Sequence, residues 1–516
     1  MTHRAFPHAP GWGAALARHL ALLLMLSLAA MAAQAFSLDD VEARARALAA
    51  QPYQPPAAVA GPLTGLSYDE YRSIRFKPDH ALWRDANLPF QLQFFHAGRG
   101  FRSALELYEV DAGQAHPLAI PRSDFDYGQA AHAVPASGPA DIAGFRVHYA
   151  LNRPDIKDEV IVFLGASYFR AVGAGTSYGL SARALAVDTV GGSGEEFPAF
   201  TAFWVERPAP DATTLTIYGL LDGPHVTGAY RFDLRPGQPT VVDVQSRVFL
   251  RAPVATLGIA PLTSMFLAGE NQPDPGDFRP EVHDSDGLQV LAADGEWLWR
   301  PLVNPSRPFV TSFTLANPRG FGLMQRDRSF ASYEDLEAHY EHRPSVWITP
   351  QGDWGAGRVE LFQFHTPDET NDNVVAYWVP AQLPPPGEPL ALAYRMAWGG
   401  DELPHPPSAW VVQSRRGHGY HEGPVPADKV EFNIDFAGPG LANLPPDAKV
   451  EAVVTAGDNA QVLQVNAYPH PLLHGWRMTV DLKRLDAAKP VELRAFLRNG
   501  THTLSETWSY SLPPEQ

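Results

Sequence analysis

Asp368-Glu369-Thr370-Asn371-Asp372-Asn373 packs three carboxylates and two carboxamides into six residues. The apolar run Val374-Val375-Ala376-Tyr377-Trp378 follows at once, β-branched and aromatic as a buried strand requires. A loop feeding such a strand presents a carboxylate from a rigid base. A second acidic turn, His283-Asp284-Ser285-Asp286-Gly287, lies upstream. Two acidic loops on aromatic-rich β scaffolding suit carbohydrate chemistry, in which one carboxyl donates a proton and another activates water. Spacing alone puts a solvated turn ahead for either cluster, because Asp and Asn favour turns for backbone reasons. Each cluster could also be a fragment of a calcium loop, but both lack the distal Glu and the further oxygens at fixed spacing. The 19 histidines form neither HExxH nor HxxEH, so no metal site and no cofactor are expected.

Other motifs fall away on spacing. Gly173-Ala174-Gly175-Thr176-Ser177-Tyr178-Gly179 places its last glycine one position late for a dinucleotide fingerprint, with no βαβ unit around it. Gly165-Ala166-Ser167-Tyr168-Phe169 begins like a nucleophile elbow and lacks the closing glycine. Cysteine is absent, which excludes disulfides, thiolate metal sites and a thiol nucleophile.

The elements that must position these loops are β strands. With 516 residues, 49 prolines and 42 glycines, the chain is long enough for two cores and too rich in turns for long helices. Short alternating runs such as Phe90–Phe94, Leu215–Tyr218 and Val241–Val244 begin near Pro89, the pattern of a large antiparallel sandwich. Helices are expected where hydroxyl caps precede acids: Ser37 before a segment reaching Ala50, Ser67 before Glu70, and Ser332 before Asp335. A boundary is expected between about Gly399 and Val430, with residues 401–427 as a linker or cleft-covering loop around Arg415-Arg416. Residues 428–516 then fit a small immunoglobulin-like sandwich. Its strands are expected near Val430–Phe436, Val450–Thr455, Met478–Leu482, Val491–Leu497 and Thr501–Leu512.

The N-terminus has the pattern of a secretory signal. Arg4 and Arg18 precede the apolar run Leu20–Leu26, and Ala33-Gln34-Ala35 is a small-x-small cleavage site, so the mature chain is expected to start near Phe36. No Arg-Arg pair precedes that run, which favours the general secretion route. No later segment has the apolar length of a transmembrane helix. Residues 1–35 carry two arginines and no acids, so their removal takes the net charge from −17 to −19. Such a surface repels nucleic acid and anionic lipid and is compatible with a neutral polysaccharide.

Longer words carry a resemblance. They include Phe36-Ser37-Leu38-Asp39-Asp40-Val41, Leu164–Arg170, Tyr178–Arg183, Gly194–Pro198, Ser264-Met265-Phe266, Arg279–Ser285, Asn317–Gly322, Asp368–Trp378 and Leu504–Tyr510. In these the chain resembles the OpgG/OpgD family of periplasmic glucan biosynthesis proteins (OpgG is also written MdoG) over essentially the whole mature length. The plain secretion signal looks more like the OpgG branch. The resemblance implies a large N-terminal β-sandwich of galactose-mutarotase type, residues 36–400, joined to the small immunoglobulin-like domain, residues 428–516. It further implies a periplasmic location, a cleft for β-1,2-glucan, and inverting endo-cleavage or transglycosylation of that backbone. By the matching words, Asp372 would be the general acid and Asp284 the general base.

Asp286 stands where some family members have Asn, and an extra acid there is expected to perturb the base. Asp368 and Glu369 are expected to lift the pKa of Asp372. Trp354 and Tyr377 are candidate sugar platforms, and Arg170 and Arg183 candidate hydroxyl clamps, each with a purely structural role as the alternative. The competing function is a non-catalytic glucan-binding or assembly factor acting with other periplasmic or inner-membrane components. A homodimer, in which a neighbour covers the cleft, is compatible with either. A mutarotase would rest on fold analogy alone.

Overall fold

A computed structural model describes residues 1–2, 35–59, 61–134, 137–419, 422–424, 426–445 and 447–514. The expected signal segment therefore lies almost wholly outside the described residues. The protein is nearly all β, as expected. Among the described residues, no helix is long and apolar enough to cross a membrane.

Local chemistry explains the first two helices. In Leu38–Ala49 the Ser37 hydroxyl accepts from the Asp39 amide, and the Asp40 carboxylate accepts from the Ser37 amide at 2.8 Å. The helix buries Leu38, Val41 and Ala45 against Trp204, Tyr218 and Phe249 on the outer face of a sheet. Tyr68–Arg72 uses the same reciprocal cap between Ser67 and Glu70. The third expectation is corrected. The helix there is Phe330–Tyr333, and it stops at Glu334 in a left-handed conformation (φ 54°). Asp335 instead accepts from the amides of Glu337 and Ala338, turning the chain after the helix rather than capping its start.

Two sheets build the large sandwich. A ten-stranded sheet runs in the order Gln91–His96, Ile142–Arg153, Ile156–Leu164, Tyr168–Ala171, Ser181–Arg183, Leu257–Ser264, Val374–Pro380, Gly357–Gln363 and Phe309–Leu315, with Leu185–Val187 beside Leu257–Ser264. Facing it is part of a fifteen-stranded sheet that includes Ala199–Glu206, Leu215–Asp222, Val226–Arg235, Thr240–Leu250 and Leu390–Gly399. Their inner faces meet in one core. Phe145 lies 5.1 Å from Phe203, and Phe163 and Phe169 lie 5.3 and 5.4 Å from Phe232, edge-on as aromatic pairs prefer.

The C-terminal segment also stacks two sheets. Trp410–Gly417, Lys429–Ala437, Gly475–Arg484 and Ala460–His470 form one sheet, which packs on Glu451–Ala456, Val491–Asn499 and Thr507–Leu512. The second group continues the fifteen-stranded sheet. Thr507–Leu512 runs parallel to Trp297–Pro301, with Trp508 beside Trp299. Residues 401–427, expected as a linker, thus contain a strand, Trp410–Gly417. Ala460–His470 was not expected as a strand, and the expected strand Thr501–Leu512 is broken into His502–Thr503 and Thr507–Leu512.

The break has a physical reason. Glu506 leaves the ladder so that its fully buried carboxylate can take Arg326 at 2.6 and 3.0 Å and the Val411 amide at 2.8 Å. Arg326 also lies 3.6 Å from the centre of the Trp299 ring. Glu506→Ala leaves that guanidinium buried without its carboxylate and is expected to destabilise the fold by about 3 kcal/mol, read by urea unfolding.

Candidate active site

One short segment carries both acidic loops. The Asp284 amide donates to the carbonyl of Met265 at 2.9 Å, and Ser264 Oγ donates to Ser285 Oγ at 2.9 Å. The next residue, Phe266, is bracketed by the side chain of Asn373. Asn373 Oδ1 accepts from the Phe266 amide at 2.8 Å, while its Nδ2 donates to the carbonyls of Phe266 and Phe364 at 3.0 Å each. Asn373 is fully buried, so these bonds fix the loop that presents Asp372. Residues 264–266 therefore hold Asp284 from one side and Asp372 from the other.

The base of the Asp284 turn is equally rigid. The buried His283 ring meets Gln325 Oε1 through Nδ1 and Glu281 Oε2 through Nε2, both at 2.9 Å. With an oxygen acceptor at each nitrogen, the imidazolium is the form the site favours. Burial works against that charge, but the Glu281 hydrogen bond and charge outweigh it and raise the pKa.

Asp284 is buried, with Arg343 Nε 3.5 Å from its Oδ1. Burial pushes its carboxyl up to about 6; Arg343 opposes the rise, Asp372 adds to it, and Arg170 and His283 oppose it. Asp372 keeps 34% of its side-chain surface exposed, and Arg170 Nη2 stands 3.8 Å from its Oδ2. Its pKa is also raised, by burial, against the lowering charges of Arg170 and Arg183. The pair is a buried and a partly exposed carboxyl, both displaced toward neutrality, with the charge of Asp372 acting on Asp284 and a half-exposed arginine beside Asp372.

A description of the family as periplasmic glucan biosynthesis protein, MdoG, fits residues 36–512. The chain belongs to the MdoG family. It is also similar to "Glucans biosynthesis protein G" of Ralstonia nicotianae, 54% identical over 501 residues that span 96% of this chain and 99% of that protein. Membership of the MdoG family gives the chain a role in periplasmic glucan biosynthesis.

The other expected site residues divide. Arg170 reaches Asp372 and is steadied by Ser181 Oγ at 2.5 Å. Arg183 is buried, bound to Glu195 at 2.7 Å and set between the rings of Tyr168 and Phe197, so it acts on Asp372 through charge. Trp354 and Tyr377 are corrected as sugar platforms, because both rings lie in the interior. Trp354 packs on Trp378 and Tyr394 and donates to the Ala393 carbonyl. Tyr377 is covered by Ala186, Val375 and Val379 and donates to Glu360 at 2.7 Å.

The acids around the pair also act differently from expectation. Asp368 is spent on its own turn, accepting from the Thr370 amide and hydroxyl, and Glu369 pairs with Arg279 at 2.7 Å. Asp286 accepts from the amides of Arg326 and Asp327, and its charge acts on His283 rather than ranking among the main influences on Asp284.

Sequence reasoning missed Asn373, Arg343, Gln325 and Phe197 as site-builders. Only Phe197 left a local signal, an aromatic between Glu196 and Pro198 in an otherwise polar turn. The residue is 50% exposed, and its ring lies against the Arg183 guanidinium.

Proposed function

We propose that the chain acts as an inverting glycosidase or transglycosylase on the β-1,2-linked backbone of the periplasmic glucan, with Asp372 as general acid and Asp284 as general base. The observation that carries this reading is the anchoring of a buried and an open carboxyl to one three-residue segment. Inversion needs one protonated and one ionised carboxyl at the same moment. A sugar laid over Asp372 removes water from its exposed oxygen and raises its pKa further, favouring the acid form. Once Asp372 holds the proton, its push on Asp284 vanishes, and Asp284 is freer to ionise beside Arg343. The two states reinforce each other.

Arg170, half-exposed beside Asp372, is placed to donate to a sugar hydroxyl or to the departing oxygen. Phe197 takes over the platform role expected of Trp354 and Tyr377. Phe197→Ala is expected to raise KM about 10-fold with kcat little changed, since the lost ring contact serves substrate and transition state alike. Steady-state kinetics on linear glucan check this.

The division into a catalytic region, 36–400, and an immunoglobulin-like region, 428–516, belongs to the same proposal, as do export to the periplasm and release from the signal segment. A second reading, a glucan-binding or assembly factor, draws support from one surface. The edge strand Ala460–His470 and the turn after it expose Leu463, Tyr468 and Leu472, a face suited to another protein.

Incubation of residues 36–516 with linear β-1,2-glucan tests between them. Shorter oligosaccharides support hydrolysis and longer or branched products support transfer. Unchanged glucan with binding retained supports the assembly role.

A further inference from the structure

On the turn that leads into Arg343, three side chains outside the carboxyl pair converge. His339 Nδ1 stands 2.9 Å and His342 Nε2 3.7 Å from the same oxygen, Oε1 of Glu341. The two imidazole rings are 5.6 Å apart, and one ligand atom from each of the three residues falls within 4.8 Å of the others. Glu341 is only 7% exposed, yet its second oxygen, Oε2, is buried with no hydrogen-bond partner. A buried acceptor left open in this way calls for a ligand that accepts lone pairs.

The turn is held from both sides. Arg328 donates to the Glu341 carbonyl at 3.3 Å, and the His342 carbonyl accepts from the Ser177 amide at 2.9 Å. Both rings remain open to solvent, which leaves an approach.

We propose that His339, Glu341 and His342 bind one divalent transition-metal ion of the Zn2+ class, with the fourth position open to water. Two imidazole nitrogens and a carboxylate suit Zn2+ or Co2+, whereas Mg2+ and Ca2+ prefer oxygen throughout. Bonds of about 2.0–2.1 Å at tetrahedral angles set neighbouring ligand atoms about 3.3 Å apart. The separations of 2.9 and 3.7 Å bracket that value. The order His-x-Glu-His on a tight turn matches no helical zinc motif, which is why the sequence led to the opposite expectation. The site does not depend on the glycosidase reading.

Chelator-treated protein, titrated with Zn2+ against a chromogenic chelator and separately with Co2+ by visible absorption, tests the inference. One equivalent is expected, with a tetrahedral Co2+ spectrum. His339→Ala and His342→Ala are each expected to weaken Zn2+ binding at least ~10-fold. The His342 ring is exposed and stands 3.7 Å from Glu341, so the metal-free melting temperature of His342→Ala should be unchanged. No Zn2+ uptake, uptake equal in wild type and both variants, or displacement of Zn2+ by equimolar Mg2+ would overturn it.

Discussion

Asp372→Asn is expected to lower turnover of β-1,2-glucan by about 10²- to 10⁴-fold while leaving glucan affinity within a few-fold of wild type. Asn keeps the shape of the side chain and cannot donate a carboxyl proton to a departing oxygen. The loop should survive the change, because Asn373, Phe266 and Phe364 hold it through the neighbouring residue and not through the Asp372 carboxyl. Arg170 would lose a charge partner at 3.8 Å that is already half in solvent, a contact worth little to stability. Glucan binding by calorimetry, set beside product formation, separates the two effects. Turnover within a few-fold of wild type would remove Asp372 from the acid role.

Asp284→Asn is expected to abolish turnover to a similar degree and, at pH 8, to leave the melting temperature equal to or above that of wild type. The sign follows from the direction of the shift. An ordinary Asp titrates near 3.9, and in the fold burial lifts Asp284 to about 6. The folded state is therefore penalised for holding this carboxyl ionised, fully above about pH 6, and the penalty fades as pH falls toward the unfolded value. Asn carries no charge and escapes it. Burial, the main cause, persists when Asp372 holds a proton, so the acid limb of the wild-type rate, where the base is lost, is expected above the ordinary carboxyl range. An acid limb near 4, or a variant that melts well below wild type at pH 8, would contradict the assignment.

What the sequence disclosed was mostly local. Ser37 with Asp40 and Ser67 with Glu70 act within one helical turn, so their spacing was enough. Ser332 failed because Asp335, three residues on, serves the turn beyond the helix. Tyr377 failed for a non-local reason. Alternation along Val374–Pro380 sends Val374, Ala376 and Trp378 into the main core, and the other face was free to be exposed. Instead Ala186 and Phe362 from neighbouring strands cover it. The strand Trp410–Gly417 was hidden by its arginines and glycine, which read as loop until Lys429–Ala437 pairs with it.

The two carboxyls proposed for the acid and base roles were legible through the longer words that surround them. Their support was not. Arg343 and Gln325 reach Asp284 and His283 across long stretches of chain, and Asn373 shows its role only when Phe266 is folded against it. The acidic neighbours of Asp372 in sequence do not produce its shift; burial does, a property of the assembled sheet and not of the loop.

The most direct test of the carboxyl-pair account is the anomeric form of the reducing end first released from linear β-1,2-glucan, followed by proton NMR before mutarotation. Direct displacement by water activated at Asp284 and a proton from Asp372 predicts the α-anomer. A β-anomer, or no new reducing end from active folded protein, would contradict it.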